Sequence, residues 1–232
     1  MIPITSSYLR QFVSHWRSYR SHWLLLRPTP LSSDIIQGLL GNCWFLSALA
    51  LVAERPELLR AILPTSNEEF ELTKKATVRL FKFGKWHSVI VDNQLPVNSH
   101  QQLVFSQAKR KQLFVPLIEK ALAKLYGGYD HLRGGLTSEG MTLLTGFPCE
   151  ILWLPPSRSE QQKLSPTDGH HLEELWIKFV SYSSAGFLMG VSCGRHHEVD
   201  VTKSEYRKMG LLKEHAYSVL EVISTEQLRL VK

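Results

Sequence analysis

The stretch from Cys43 to Arg55 reads Cys-Trp-Phe-Leu-Ser-Ala-Leu-Ala-Leu-Val-Ala-Glu-Arg and is apolar nearly all round. A helix without a polar face has to be buried on every side, so the rest of the chain must pack around it. It should end before Pro56, because the residue preceding a proline resists helical geometry. Immediately upstream, Asp34-Ile35-Ile36-Gln37-Gly38-Leu39-Leu40-Gly41-Asn42 is a turn-forming segment with two glycines. A cysteine thus opens a buried helix. Unpaired N–H groups and the positive end of the helix dipole gather there. Both favour thiolate over thiol, and the thiolate is the nucleophile. Gly41-Asn42 lets the backbone come close to a substrate carbonyl. The Gln37 amide could donate to the oxygen of a tetrahedral intermediate, beside the Cys43 backbone N–H. A lone cysteine is more often a packing residue. This context makes Cys43 a candidate nucleophile and Gln37 a candidate oxyanion donor.

The remaining patterns suggest a helix-rich first half and a β-rich second half, with a boundary near 145–150. Residues 1–33, with Pro28 and Pro30, read as an irregular approach segment with one short helix. A short helical turn is expected at 57–63. Thr77–Phe83 and Trp86–Val91 alternate as a hairpin around Gly84-Lys85, closed by a turn at Asp92–Pro96. Leu113–Tyr126 has the period of an amphipathic helix, with Pro116 in its first turn and Gly127-Gly128 as its stop. Gly134-Gly135 lies in a glycine-rich loop before another short helix. Pro155–Gly169 reads as an exposed loop, His170-His171 as exposed residues of the same polar loop, and Leu172–Ser181 as a helix. Gly186–Cys193 and Ala216–Ile223 are strand candidates.

Composition narrows the classes. Of 232 residues, 44% are hydrophobic and 21% charged, enough apolar material for a packed core. The net charge of +6 is scattered, without a run of like charges, so a solvated basic surface is expected and nucleic acid is not a partner. A basic-aromatic patch at Arg10, Trp16, Arg17, Arg20 and Trp23 is read as part of the approach segment. The three cysteines, Cys43, Cys149 and Cys193, have neither disulfide-scaffold density nor zinc spacing. Cys193-Gly194-Arg195-His196-His197-Glu198 fits no standard metal pattern either. No apolar run approaches the roughly 18 residues of a membrane span, and charges break any leader near the N-terminus. A soluble cytoplasmic protein follows, without stable membrane insertion, without an organic cofactor and of unspecified oligomeric state.

The segment Gln37-Gly38-Leu39-Leu40-Gly41-Asn42-Cys43-Trp44-Phe45-Leu46-Ser47-Ala48 resembles the active-site segment of the calpain family of cysteine proteases. Glu214-His215-Ala216-Tyr217-Ser218-Val219-Leu220 resembles the histidine segment of that family. Between them, Trp86–Asp92, Leu117–Lys124 and Gly134–Gly140 are family-like pieces in the expected order, and the small-optic-lobes subgroup looks closest. The resemblance implies an α+β, papain-like fold of two lobes: a helical lobe over 34–147 with the nucleophile, and an incomplete β-rich lobe over 148–232 with the histidine. It implies a calcium-dependent cysteine endopeptidase acting on polypeptide substrates. Cys43 would be the nucleophile, His215 the base, Gln37 an oxyanion donor, and Gly134 and Gly135 would line the substrate cleft.

Two family features change here. The asparagine that orients the histidine has no counterpart, since no asparagine occurs after Asn98. Without it the imidazole can take the wrong tautomer, at large kinetic cost. The alternative is therefore a catalytically incomplete chain that acts by binding or has no function of its own. Another papain-like thiol chemistry, such as isopeptide cleavage or acyl transfer, is opposed by the motif residues themselves. The resemblance also makes Asp34 a calcium ligand, with Gln112 standing where a glutamate is usual.

Overall fold

The structure, a computed structural model, describes residues 2–19, 22–153, 167–193 and 202–232. The chain forms two compact units, Met1–Cys149 and Glu150–Lys232. The architecture is α+β, with short two-stranded antiparallel pairs beside helices.

In the first unit, helices α1 (Ser7–Arg10), α2 (Cys43–Ala53), α3 (Pro56–Ile62), α4 (Asn67–Thr73), α5 (Phe114–Tyr126) and α6 (Thr137–Thr145) surround one core. The all-apolar run forms α2, buried from Trp44 to Ala53. Helix α5 buries Phe114, Leu117, Ile118, Ala121 and Leu122 on the expected stripe. Pro116 sits in the first turn of α5, where its missing N–H has no intrahelical partner to lose, and Gly127 ends the helix at φ +87°. Ser66 caps α4, its hydroxyl accepting from the Glu69 N–H at 3.1 Å. Helix α6 crosses α2 at Gly140. A Cβ there would lie 2.9 Å from the Trp44 carbonyl oxygen and 3.0 Å from the Ala48 Cβ.

The strands of this unit are β1 (His15–Ser18), β2 (Ile35–Ile36), β3 (Lys75–Lys82), β4 (Lys85–Asp92), β5 (Gln94–Val97) and β6 (Gln107–Ala108). The hairpin pairs β3 with β4 in a register that sets Lys82 opposite Lys85. Its turn is therefore Phe83-Gly84 rather than Gly84-Lys85. Both residues have positive φ, +52° and +74°, as a two-residue turn matching strand twist requires. Two further expectations change. Asp92–Pro96 is not only a turn: Gln94–Val97 is a strand, paired with His15–Ser18. Pro96 is tolerated because the pair has only two strands, and its carbonyl accepts from the Val104 N–H at 3.1 Å. The N-terminal residues supply that partner strand and bury Ile2, Ile4, Leu9, Tyr19 and Leu25.

The second unit holds α7 (Thr167–Ser184), α8 (Lys203–Lys208), β7 (Met189–Cys193), β8 (His215–Val219), β9 (Val222–Ser224) and β10 (Arg229–Val231). Strands β7 and β8 pair, as do β9 and β10. His170 and His171 lie within α7 rather than in a loop. Most of the Pro155–Gly169 stretch, and Gly194–Glu198 of the cysteine–histidine stretch, lie outside the described residues. Among the described residues of this unit the buried apolar side chains are Leu175, Ala216 and Val219. Thr202 caps α8, accepting from the Glu205 N–H at 3.3 Å, while Glu205 accepts from the Thr202 N–H at 2.7 Å.

Candidate active site

Cys43 is the first residue of α2 and half-buried. Asn42 stands at the N-cap, where an asparagine side chain usually accepts from the first-turn N–H groups. Here it makes no such bond. Its amide is turned inward and donates from Nδ2 to Glu119 Oε1 at 2.7 Å. Only its backbone carbonyl serves the helix, accepting from Phe45 and Leu46 at 3.0 and 3.1 Å. The backbone N–H of Cys43, the first of the helix, has no hydrogen-bond partner among the described residues. A donor left unspent beside the sulfur is what an oxyanion needs.

Glu119 lies on α5, 1% exposed. Its second oxygen accepts from the Ser106 N–H at 3.0 Å. Burial raises its carboxyl to about 6, against the opposing pull of the Asn42 and Ser106 hydrogen bonds. The cluster also holds two buried atoms without a hydrogen-bond partner among the described residues, Asn42 Oδ1 and Ser106 Oγ. One carboxylate thus holds both the residue before Cys43 and the 104–106 loop. That loop in turn backs the turn carrying Gln37. The Leu39 N–H donates to the Val104 carbonyl at 3.1 Å, and a Cβ on Gly38 would strike the Phe105 carbonyl oxygen at 2.2 Å.

Gln37 is exposed, and its Nε2 donates to the Leu40 carbonyl at 3.0 Å. A primary amide carries two N–H groups, so the second remains for a ligand. Gly134, at φ +70°, donates its N–H to the Gly41 carbonyl at 2.9 Å, which sets the glycine loop against the Cys43 turn. Gly135 lies on the Trp44 ring, where a Cβ would come within 2.4 Å of the indole. The indole is fixed from its other end, Nε1 donating to the Leu132 carbonyl at 2.9 Å. The first unit therefore gathers Gln37, Cys43, Gly134 and Gly135 around one turn.

His215 opens β8 of the second unit, directly across the ladder from Cys193. Its ring meets the Tyr217 ring edge-on at 4.9 Å. Burial holds its imidazole below the ordinary histidine range. Among the described residues no group hydrogen-bonds to its ring nitrogens.

Asp34 is buried with both carboxylate oxygens engaged by Arg110 and further N–H donors from Gln112 and Leu31. Calcium takes six to eight oxygen ligands aimed at it. Here nitrogen donors converge on the carboxylate, and the Gln112 oxygen accepts elsewhere, from the Arg27 N–H at 3.0 Å. Among the described residues no group of three acidic, histidine or cysteine side chains could hold a metal. The Asp34 neighbourhood does not fit calcium.

Glu119 and Arg110 were not singled out by sequence reasoning. The signal for Glu119 was present: Glu119-Lys120 is a charged pair within the apolar stripe of α5, and both are buried. For Arg110 there was none, since it meets Asp34 across 76 positions.

Residues 17–232 match the sequence model of a family described as calpain family cysteine protease. The calpain-type cysteine protease ADL1 of Oryza sativa subsp. japonica is 32% identical over 241 residues, covering 99% of this chain and 10% of that protein. The calpain-type cysteine protease DEK1 of Arabidopsis thaliana is 35% identical over 202 residues, covering 86% of this chain and 9% of that protein. Calpain-12 of Homo sapiens is 34% identical over 190 residues, covering 81% and 24%. The chain spans about a tenth of the plant relatives and about a quarter of Calpain-12.

Proposed function

This chain belongs to the calpain family of cysteine proteases, and from that membership we propose that it hydrolyses peptide bonds in exposed, extended polypeptide segments. Cys43 is the nucleophile: its sulfur adds to the scissile carbonyl carbon. The oxyanion so formed accepts from the Cys43 N–H and from the second N–H of Gln37. His215 takes the thiol proton and delivers it to the leaving amine as the C–N bond breaks. Water, deprotonated by the same imidazole, then cleaves the thioester. The absence of side chains at Gly134 and Gly135 leaves room for a substrate backbone beside this turn. The observation that carries the reading is the Cys43 N–H itself: it is the first N–H of α2, beside the half-buried sulfur, and has no hydrogen-bond partner among the described residues.

No step is routed through calcium, because Asp34 does not present oxygen ligands to a metal. A cytoplasmic setting is part of the proposal: all three cysteines are free thiols, and no helix among the described residues is long and apolar enough to cross a membrane. Labelling by a peptidyl-epoxide thiol-protease probe tests the assignment. The unaltered chain should be labelled, Cys43→Ala should not, and His215→Ala should label at least about a hundredfold more slowly. Equal labelling of the Cys43→Ala variant would remove the nucleophile assignment. A second reading, binding of polypeptides without turnover, is favoured by the His215 ring nitrogens, which lack an orienting partner among the described residues. It predicts slow labelling of the unaltered chain together with peptide binding.

A further inference from the structure

The acceptor capacity of Asp34 is spent within the chain. Arg110 grips it as a fork: Nε donates to Oδ1 at 2.7 Å and the terminal guanidinium nitrogen donates to Oδ2. Oδ2 also accepts from Gln112 Nε2 at 3.1 Å and from the Leu31 N–H at 3.0 Å. The guanidinium continues to the Thr29 carbonyl at 2.8 Å. Burial pushes the Asp34 carboxyl up, but the donors from Arg110, Gln112 and Leu31 outweigh it and hold the carboxyl below its ordinary range. The backbone is shaped for this contact. Arg110 and Lys111 have φ of +59° and +55°, a left-handed conformation that costs non-glycine residues free energy and persists only where surrounding contacts enforce it. Successive left-handed residues carry the chain out of β6 with Arg110 meeting Asp34.

From this pair the Cys43 segment is stitched, contact by contact, to residues 104–110. The Lys109 N–H donates to the Asp34 carbonyl at 2.8 Å. Ile35 and Ile36 pair with Ala108 and Gln107, the Leu39 N–H donates to Val104, and Gly38 rests on Phe105. Asp34 is the upstream anchor of that seam.

We propose that Arg110 is a resident cation at Asp34, a positioning residue that neutralises the buried carboxylate where a metal would otherwise be needed, so that the segment 34–42 is held in place without calcium. The inference rests on the protease reading only in naming the segment that carries the nucleophile. The fork geometry supplies two directed bonds that a spherical ion would not, and the Gln112 amide adds a third donor instead of a metal-binding oxygen.

Amide hydrogen exchange of the peptide covering 31–42, read by mass spectrometry in millimolar calcium and in chelator, tests this without requiring any protease activity. The unaltered chain should exchange at the same rate in both. Arg110→Ala should exchange at least about tenfold faster over 31–42 and leave 114–126 unchanged, and Arg110→Lys, with the charge but not the fork, should fall between. Arg110→Ala combined with Gln112→Glu should become calcium-responsive, which loss of packing alone would not produce. Calcium-dependent protection of 31–42 in the unaltered chain would overturn the proposal, as would unchanged exchange in Arg110→Ala. Should Arg110→Ala fail to fold, the calcium comparison on the unaltered chain and the Arg110→Lys rate still decide. Probe labelling of Cys43 is read separately, so failure of the protease reading is distinguishable from failure of this one.

Discussion

A single buried carboxyl, that of Glu119, governs the surroundings of the nucleophile. It titrates near 6 in the folded chain against 4.5 ordinarily. A raised folded value means that the native state holds its proton more tightly than the unfolded state. The stability this confers is complete below pH 4.5 and is lost as pH rises through 6, on the order of 2 kcal/mol. Glu119→Gln keeps the volume and does not titrate. The stability of the parent minus that of the variant, from denaturation at several pH values, should therefore decline by about 2 kcal/mol between pH 4.5 and 7. A difference that stays constant with pH would show that Glu119 does not titrate in this range. At this scale the sequence exposed what local context can expose. The glycines and asparagine before Cys43, and the histidine before Ala216-Tyr217-Ser218, declare themselves by their neighbours. The partners of Asn42 and Asp34 do not, because they lie 77 and 76 positions away.

Among elements, those set by their own periodicity were legible and those set by distant pairing were not. Helices α2 and α5 have patterns long enough to read, and the β3–β4 hairpin alternates cleanly. The β1–β5 pair was missed because four-residue strands carry little pattern, and Pro96 argues against a strand unless its edge position is known. The turn moved by one residue because Phe83, bulky and at positive φ, gives no turn signal. Gly140 read as part of a glycine-rich segment, but its reason is a helix crossing. Gly140→Leu would drive a side chain into the Trp44 carbonyl and Ala48, and should cost about 1–3 kcal/mol despite the better helix propensity. Urea denaturation would detect this, and an unchanged midpoint would mean that α2 and α6 can separate there without loss.

For the whole molecule, the two units differ in how much they bury. The first has a continuous apolar core from Ile2 to Leu144, whereas the second buries Leu175, Ala216 and Val219 among its described residues. Regions with few buried apolar contacts open at low free-energy cost. Amides of Ala216–Val219 should accordingly exchange at least about tenfold faster than those of Phe45–Ala53, and equal protection would refute this account. The composition shift near 145–150 was visible in the sequence. The thinness of the second core was not, since strands such as 215–219 are apolar enough to read as buried, while burial depends on what covers them.

The inward turn of Asn42 has a consequence for engineering. Because its amide is held by a carboxylate on α5, the dozen residues from Gln37 to Ala48 are not a portable cassette. Grafted onto another scaffold without a counterpart of Glu119, the turn before the cysteine would lose the carboxylate that ties Asn42 to the Ser106 N–H, and its placement would have to be rebuilt from other contacts. An aspartate at position 42 would instead set two carboxyls face to face across what is now a 2.7 Å contact, and the pair would have to share a proton to coexist. Positions 42 and 119 can therefore be redesigned only together.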